Sequence, residues 1–302
     1  MSGSSSAKAV ALALTANAGI AISKFAVWGL TGSASLLTEA IHSTADCLNQ
    51  VLLFLGLSQG RRAPDAKHPL GRGQAPFVAS FLVALLLFSV GGLYSVVEGI
   101  HKIRHPEAPH HLIWAVGLLV FALALEGWSL RGALQAAKAE RGSRPLLRFL
   151  RQSSSTELVV VLAEDLAALL GLALALAAVL LVMATGNPVW DGVGSLAIGL
   201  LLIAIAAFVG AEVTSLLLNE APPLALRAAL REAVDEDPEA ETVLNLIAVF
   251  VGSDRLMVAL KVKFRPQPSG QALVDAINAL ERRLRVRFPQ IQHLFVEPDD
   301  RA

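Results

Sequence analysis

Cysteine and charge are what this chain lacks. Cys47 is its single cysteine in 302 residues, which excludes an internal disulfide framework and any multi-cysteine zinc cluster. Seven histidines (His42, His68, His101, His105, His110, His111 and His293) are too scattered for a His-rich metal buffer. Charged residues make up only 17% and the formal net charge is zero. Nothing in that balance points to nucleic acid. A His-Glu-x-x-His run, the helical signature of a zinc hydrolase with its own general base, is also absent. The chain is not read as an enzyme.

What is present is apolar length. Hydrophobic residues reach 54% and mean hydropathy is +0.59, outside the soluble range and in that of a polytopic α-helical membrane protein. With ~20 apolar residues needed per crossing, six spans are predicted, at about 8–30, 34–58, 76–100, 112–137, 154–184 and 189–217. Turn-forming residues separate them at 31–33, 64–73, 106–109, 141–145 and 186–188. Lys8 followed by an apolar run and Ala16-Asn17-Ala18 imitates a signal peptide, but the apolar stretch continues to Leu30 and is read as the first span. Arg61, Arg62, Lys67 and Arg72 follow span two, and Lys138, Arg141, Arg144, Arg148 and Arg151 follow span four. The opposite side has only Lys102 and Arg104, so both termini are expected in the cytoplasm. After Pro222-Pro223 the character changes to helix, two β-rich runs, helix and a last strand. The expected division is a membrane domain at 1–218 and a small cytoplasmic α+β domain at 219–302, in the order αββαβ.

The informative residues are the polar ones inside spans. Glu39, His42, Asp46 and Asn49 are spaced three, four and three apart and share one helical stripe. Glu164 and Asp165 stand together in span five. Carboxylates at bilayer depth cost ~2.5 kcal/mol or more each and face a partner, a cavity or an ion. Imidazole plus carboxylate without thiolate suits Zn²⁺, and also Mn²⁺, Fe²⁺ or Co²⁺. His42 must be neutral to ligate, so metal and proton compete for it. Glu39 has three open roles: ligand, support for a ligand, or partner of Lys24 in span one. Asn49 reads as an interhelical hydrogen bond, Cys47 as a packing residue and Glu98 as interfacial beside Lys102; for Glu126, in span four, a place on a proton path is the less favoured alternative. His101, His105, His110 and His111 read as solvent-exposed loop histidines.

Several of these features together resemble the cation diffusion facilitator family. They are Thr31-Gly32-Ser33 followed by Glu39-Ala40-Ile41-His42-Ser43-x-x-Asp46, the loop His68-Pro69-Leu70-Gly71-Arg72-Gly73, and the Glu164-Asp165 pair. Asp191 opening span six, the exit Leu217-Leu218-Asn219-Glu220-Ala221 and the terminal αββαβ domain complete the likeness, over residues 8–300. The Glu-Asp pair looks most like the branch of the mitochondrial zinc transporter. The resemblance implies a Zn²⁺/H⁺ antiporter moving metal out of the cytoplasm and a homodimer through a ferredoxin-like domain; a bacterial inner membrane is expected only by association with the Ala-, Leu- and Arg-rich composition. It implies no cofactor beyond zinc as cargo; its partners are the metal ion, protons and the lipid bilayer. Export of Mn²⁺, Fe²⁺ or Co²⁺ is the alternative within the family, and a non-transporting structural or regulatory role the alternative outside it.

The family places two ligands on span two and two on span five, four residues apart in each. His42, Asp46 and Asp165 match, whereas Val161 stands at the remaining position and cannot coordinate. Glu164 is the nearest substitute, with Glu39 and Asn49 as outer candidates. A second family site, in the loop after span two, needs an Asp and two His. Asp65 and His68 match, but Arg72 fills the third position. In the soluble domain, Phe295 and Glu297 stand where a His and an Asp are expected.

Overall fold

The protein is described from a computed structural model covering residues 18–107, 109, 111–143, 145–152 and 156–300. Residues 8–17 of the first expected span, His110, Arg144 and the polar start of the fifth span at 154–155 fall outside those residues. Two compact units are present, the first made of most of the helices up to position 213 and the second of residues 57–77 with the chain from 214 onward.

In the first unit, helix α1 (Ala18–Thr31) stops at Gly32, whose φ of 66° favours glycine. The Gly32 N–H donates to the Trp28 carbonyl at 2.7 Å, the left-handed ending of many helices. Helix α2 (Ala34–Gly60) follows at once. Its N-terminus has no acid of its own and is capped from the far end of the sequence. Asp191 accepts from Ser33 Oγ at 2.6 Å, Ala34 N at 2.6 Å, and Ser35 N and Oγ at 3.2 and 2.8 Å. The carboxylate is buried, at a helix end whose orphan N–H groups favour negative charge. Asp191→Ala should therefore cost about 2 kcal/mol of stability, for a lost cap whose donors stay buried, and lower the thermal midpoint in detergent. An unchanged midpoint would refute the capping role.

Helix α3 (Ala75–Arg104) contains a π-helical stretch at Leu87–Leu93. Ser89 and Ser95 return hydroxyl bonds to the Leu85 and Gly91 carbonyls at 2.7 and 2.5 Å. Helices α4 (Leu112–Arg141), α5 (Leu146–Gln152), α6 (Thr156–Thr185) and α7 (Val189–Leu217) complete the unit. α3 and α7 meet backbone to backbone at Gly92 and Gly99 against Gly199 and Gly192, where any Cβ would strike main-chain atoms. Small residues let membrane helices approach this closely. A core of Leu36, Leu87, Leu119, Leu172, Ile198 and Leu202 fills the interior.

Among the described residues, four helices are long and apolar enough to cross a membrane: Ala75–Arg104, Leu112–Gln135, Leu158–Thr185 and Val189–Leu217. Only a short apolar piece of α1 is described. α2 has 27 residues, about 40 Å at 1.5 Å per residue. Its polar stripe, not its length, sets it apart from the other four.

The second unit holds α8 (Leu224–Asp235), β1 (Ala240–Gly252), β2 (Arg255–Phe264), α9 (Gly270–Arg287) and β3 (Ile291–Pro298). The strand order is β1-β2-β3, with β1 and β2 antiparallel and β3 parallel to β2. A parallel neighbour needs a crossover, and α9 supplies it. Ser269 caps α9 by accepting from Ala272 N at 3.1 Å. Leu256, Val258, Leu260 and Val262 alternate inward along β2 and are buried, as are Leu230 and Val234 of α8 and Leu280 and Leu284 of α9.

The loop between α2 and α3 belongs to this unit. Arg255 donates to the Gly60 carbonyl at 3.1 Å and His293 Nε2 lies 3.4 Å from the Leu70 carbonyl. Gly73 lies against the Val251 carbonyl and the Gly252 backbone so closely that no side chain would fit.

Candidate metal site

The stripe on α2 faces inward. His42 and Asp46 stand one turn apart, with Nδ1 and Oδ1 separated by 3.6 Å and side-chain exposures of 1% and 16%. Both ring nitrogens of His42, and Asp46 Oδ1, are buried without a hydrogen-bond partner. Each such buried polar atom costs about 1–3 kcal/mol. Three in one place mark a position shaped for something other than packing.

Lys24 of α1 reaches the same stripe. Its Nζ lies 3.1 Å from Glu39 Oε2 and donates to Ser43 Oγ at 2.6 Å, with Lys24 and Glu39 side chains 1% and 0% exposed. Of the three roles open to Glu39, the geometry gives it a paired one. Its free oxygen, Oε1, is turned toward Gly171 of α6.

On α6, Glu164 is buried and accepts from Asn49 Nδ2 at 2.5 Å, so Asn49 joins α2 to α6. Asp165, about 100° further around the helix, is half-buried and accepts from Ser129 Oγ of α4 at 3.4 Å. Glu126, one turn before Ser129, lies within electrostatic reach of Asp46, Asp165, Lys24 and Glu39. His42 and Asp46 are thus brought together, while Glu164 and Asp165 each have another partner. Among the described residues no three of His, Cys, Asp and Glu are close enough to hold a metal ion.

Sequence reading missed Ser43 and Ser129. Ser43 stands four residues after Glu39, on the same stripe, and was legible from spacing alone. Ser129 carries no such signal, because only packing brings α4 to Asp165. Lys102 pairs with Glu107 at 2.9 Å.

Comparison with known proteins places this geometry in a family. The cation efflux transmembrane domain matches residues 10–218. The chain belongs to the cation efflux family. It is 30% identical over 313 residues to the proton-coupled zinc antiporter SLC30A9, mitochondrial, of Xenopus laevis, covering 91% of this chain and 56% of that protein. Its identity to the Homo sapiens protein of the same name is 28% over 329 residues, covering 96% of this chain and 58% of the relative. Metal tolerance protein C4 of Arabidopsis thaliana is 36% identical over 205 residues, 67% of this chain and 45% of the relative. The chain thus spans only about half the length of these curated relatives, from 45% to 58%.

Within the family frame, the matching region contains the whole polar stripe of α2 and the Glu164-Asp165 pair of α6. Asp191 lies in it too, and here its carboxylate caps a helix rather than facing the stripe.

Proposed function

We propose that this chain is a proton-coupled antiporter of divalent metal, zinc first, using His42, Asp46 and Asp165 as ligands and Glu164 in place of the ligand Val161 cannot supply. The observation that carries this reading is His42: an almost fully buried imidazole with both nitrogens unpartnered, beside a carboxylate and facing a second acidic helix. Zinc takes such N and O donors in tetrahedral sets. Closing the set requires Glu164 to leave Asn49 and Asp165 to leave Ser129, so binding is coupled to a movement of α6 relative to α2. Ligation needs neutral imidazole and ionised carboxylates, so metal arrival releases protons and proton arrival releases metal.

The reading includes six spans, with α1 and α2 as the first two, and both termini in the cytoplasm. Basic loops support that orientation. The membrane is read as a bacterial inner membrane; the word mitochondrial in the relatives' names supports the organelle as the alternative. A homodimer through a ferredoxin-like soluble domain completes the proposal, and light scattering of the full chain in detergent tests it. Mn²⁺, Fe²⁺ and Co²⁺ suit the same donor set.

The decisive measurement is zinc flux into proteoliposomes holding the purified chain, with and without an imposed pH gradient. Zinc movement that follows the gradient and acidifies or alkalises the lumen in exchange supports antiport. Zinc-independent lumenal pH and no flux would favour the structural or regulatory reading. Glu164→Gln is expected to weaken zinc binding about tenfold, through loss of a charged donor, measured by titration with a fluorescent competitor. Unchanged affinity would leave the fourth position to water or another helix.

A further inference from the structure

The family resemblance implies a second metal site in the loop after span two, built from an Asp and two His, and the residues here do not fit a metal. Arg72 stands at the centre of the cluster. Its Nη2 donates to Asp65 Oδ2 at 2.9 Å, its Nε to His68 Nδ1 at 3.3 Å and its Nη1 to Gln59 Oε1 at 3.3 Å. Asp65 Oδ1 is already shared by the Lys67 and His68 backbone N–H groups, at 2.9 and 2.7 Å. His68 Nδ1 also lies 3.1 Å from that same oxygen. In one tautomer Nδ1 accepts from Arg72; in the other it donates to Asp65. Neither tautomer leaves Nδ1 a lone pair for a metal, and only the second leaves one on Nε2, so the mismatch rests on the fixed cation: Arg72 stands where the third donor is needed and holds the carboxylate.

We propose that the Arg72 guanidinium is the resident cation of this loop, holding residues 61–74 in shape on the soluble domain in place of a metal ion. A guanidinium is always charged and offers its donors as a rigid fork, so it does the ordering work of a cation without depending on metal supply. The surrounding geometry agrees. Asp65 and His68 exchange backbone bonds at 3.2 and 3.1 Å, and Gly71 N donates to the His68 carbonyl at 2.9 Å. Gly71 has a φ of 81°, which turns Arg72 back toward Asp65. The Asp65 carboxyl is held below its usual range, first by the His68 backbone N–H and then by the His68 ring, Lys67 N–H and Arg72. Beyond the cluster, the Leu70 carbonyl and Gly73 are the points that touch β3 and the β1–β2 turn.

In the C-terminal sheet domain, Lys261 of β2 lies 2.6 Å from Asp299 and 3.9 Å from Glu297, and of these two only Glu297 stands at a position where the resemblance implies a metal-binding residue.

The test is amide hydrogen exchange of the full-length protein in detergent, read on peptides covering 61–74, in EDTA and in saturating zinc. Wild-type exchange at Asp65, Lys67, His68 and Gly71 should be the same in both. Arg72→Gln should accelerate it about tenfold, with no slowing by zinc, while peptides of β2 stay unchanged. Arg72→His should exchange fast in EDTA and return to the wild-type rate with zinc, because the variant restores the family's donor set. Wild-type amides that speed up in EDTA and recover with zinc would overturn the proposal, as would Arg72→Gln exchanging at the wild-type rate. An Arg72→His loop indifferent to zinc would overturn the claim that the guanidinium stands in the metal's position. None of these readouts depends on transport, so failure of the antiporter reading would leave the result standing.

Discussion

Zinc flux into proteoliposomes is expected to fall more than about a hundredfold when Asp46 or Asp165 is replaced by alanine. Loss of a group that merely orients a ligand costs roughly 10–100-fold, and these two are proposed as ligands themselves. They contribute differently. Asp46 is fixed beside His42, with Oδ1 unpartnered, so its removal leaves a single imidazole on α2. Asp165 is held only by a 3.4 Å bond from Ser129 on a half-buried face. A hydrogen bond that long is weak, and the carboxylate is free to swing toward α2 when α6 moves. Ser129→Ala should accordingly leave zinc flux within about threefold of wild type, since the bond it removes is broken on binding. Folding is checked independently by the thermal midpoint, because neither carboxylate supports a helix end or a buried ion pair. Wild-type flux in Asp46→Ala or Asp165→Ala would remove the residue from the site.

The membrane class and the small C-terminal sheet domain were legible because they rest on periodicity. Apolar length marks a span whatever it packs against, and the inward alternation of Leu256, Val258, Leu260 and Val262 identifies β2 without its neighbours. The stripe on α2 was legible for the same reason, since residues at spacings of three and four share a face. Contacts across great sequence separation were not. Asp191 stood out as an acid at the start of a span, but its partners are Ser33, Ala34 and Ser35, more than 150 positions earlier. Nothing local to either segment encodes that meeting. The Asn49–Glu164 bond is intermediate. Each residue was recognisable as a polar group in a span, and the need to satisfy it suggested an interhelical bond, while the choice of partner came from packing. Glu39 is intermediate too, because spacing put it on the stripe and left Lys24 among its three candidate partners or roles, and packing selected Lys24.

That pairing yields the second large effect. Lys24→Met should destabilise the folded protein by about 3–5 kcal/mol, the cost of removing one partner from a buried ion pair. Glu39 would then lie buried beside Ser43 and the backbone of α6, with neither oxygen on a cation. Lys24→Met combined with Glu39→Gln should recover most of the loss, because a neutral pair of similar volume carries no desolvated charge. The double variant also separates the two remaining roles of Glu39. If Glu39 serves to tie α1 to α2, the rescued protein should bind zinc within about threefold of wild type, since His42, Asp46 and the α6 carboxylates are untouched. If Glu39 were a ligand, the same protein would fold normally and lose zinc affinity by tenfold or more. Thermal midpoints in detergent read the first half of the cycle and competitive zinc titration reads the second. A Lys24→Met protein as stable as wild type would show that the 3.1 Å contact contributes nothing to the fold. In that case Lys24 would be better understood as a charge that sets the field around His42 than as a strut between two helices.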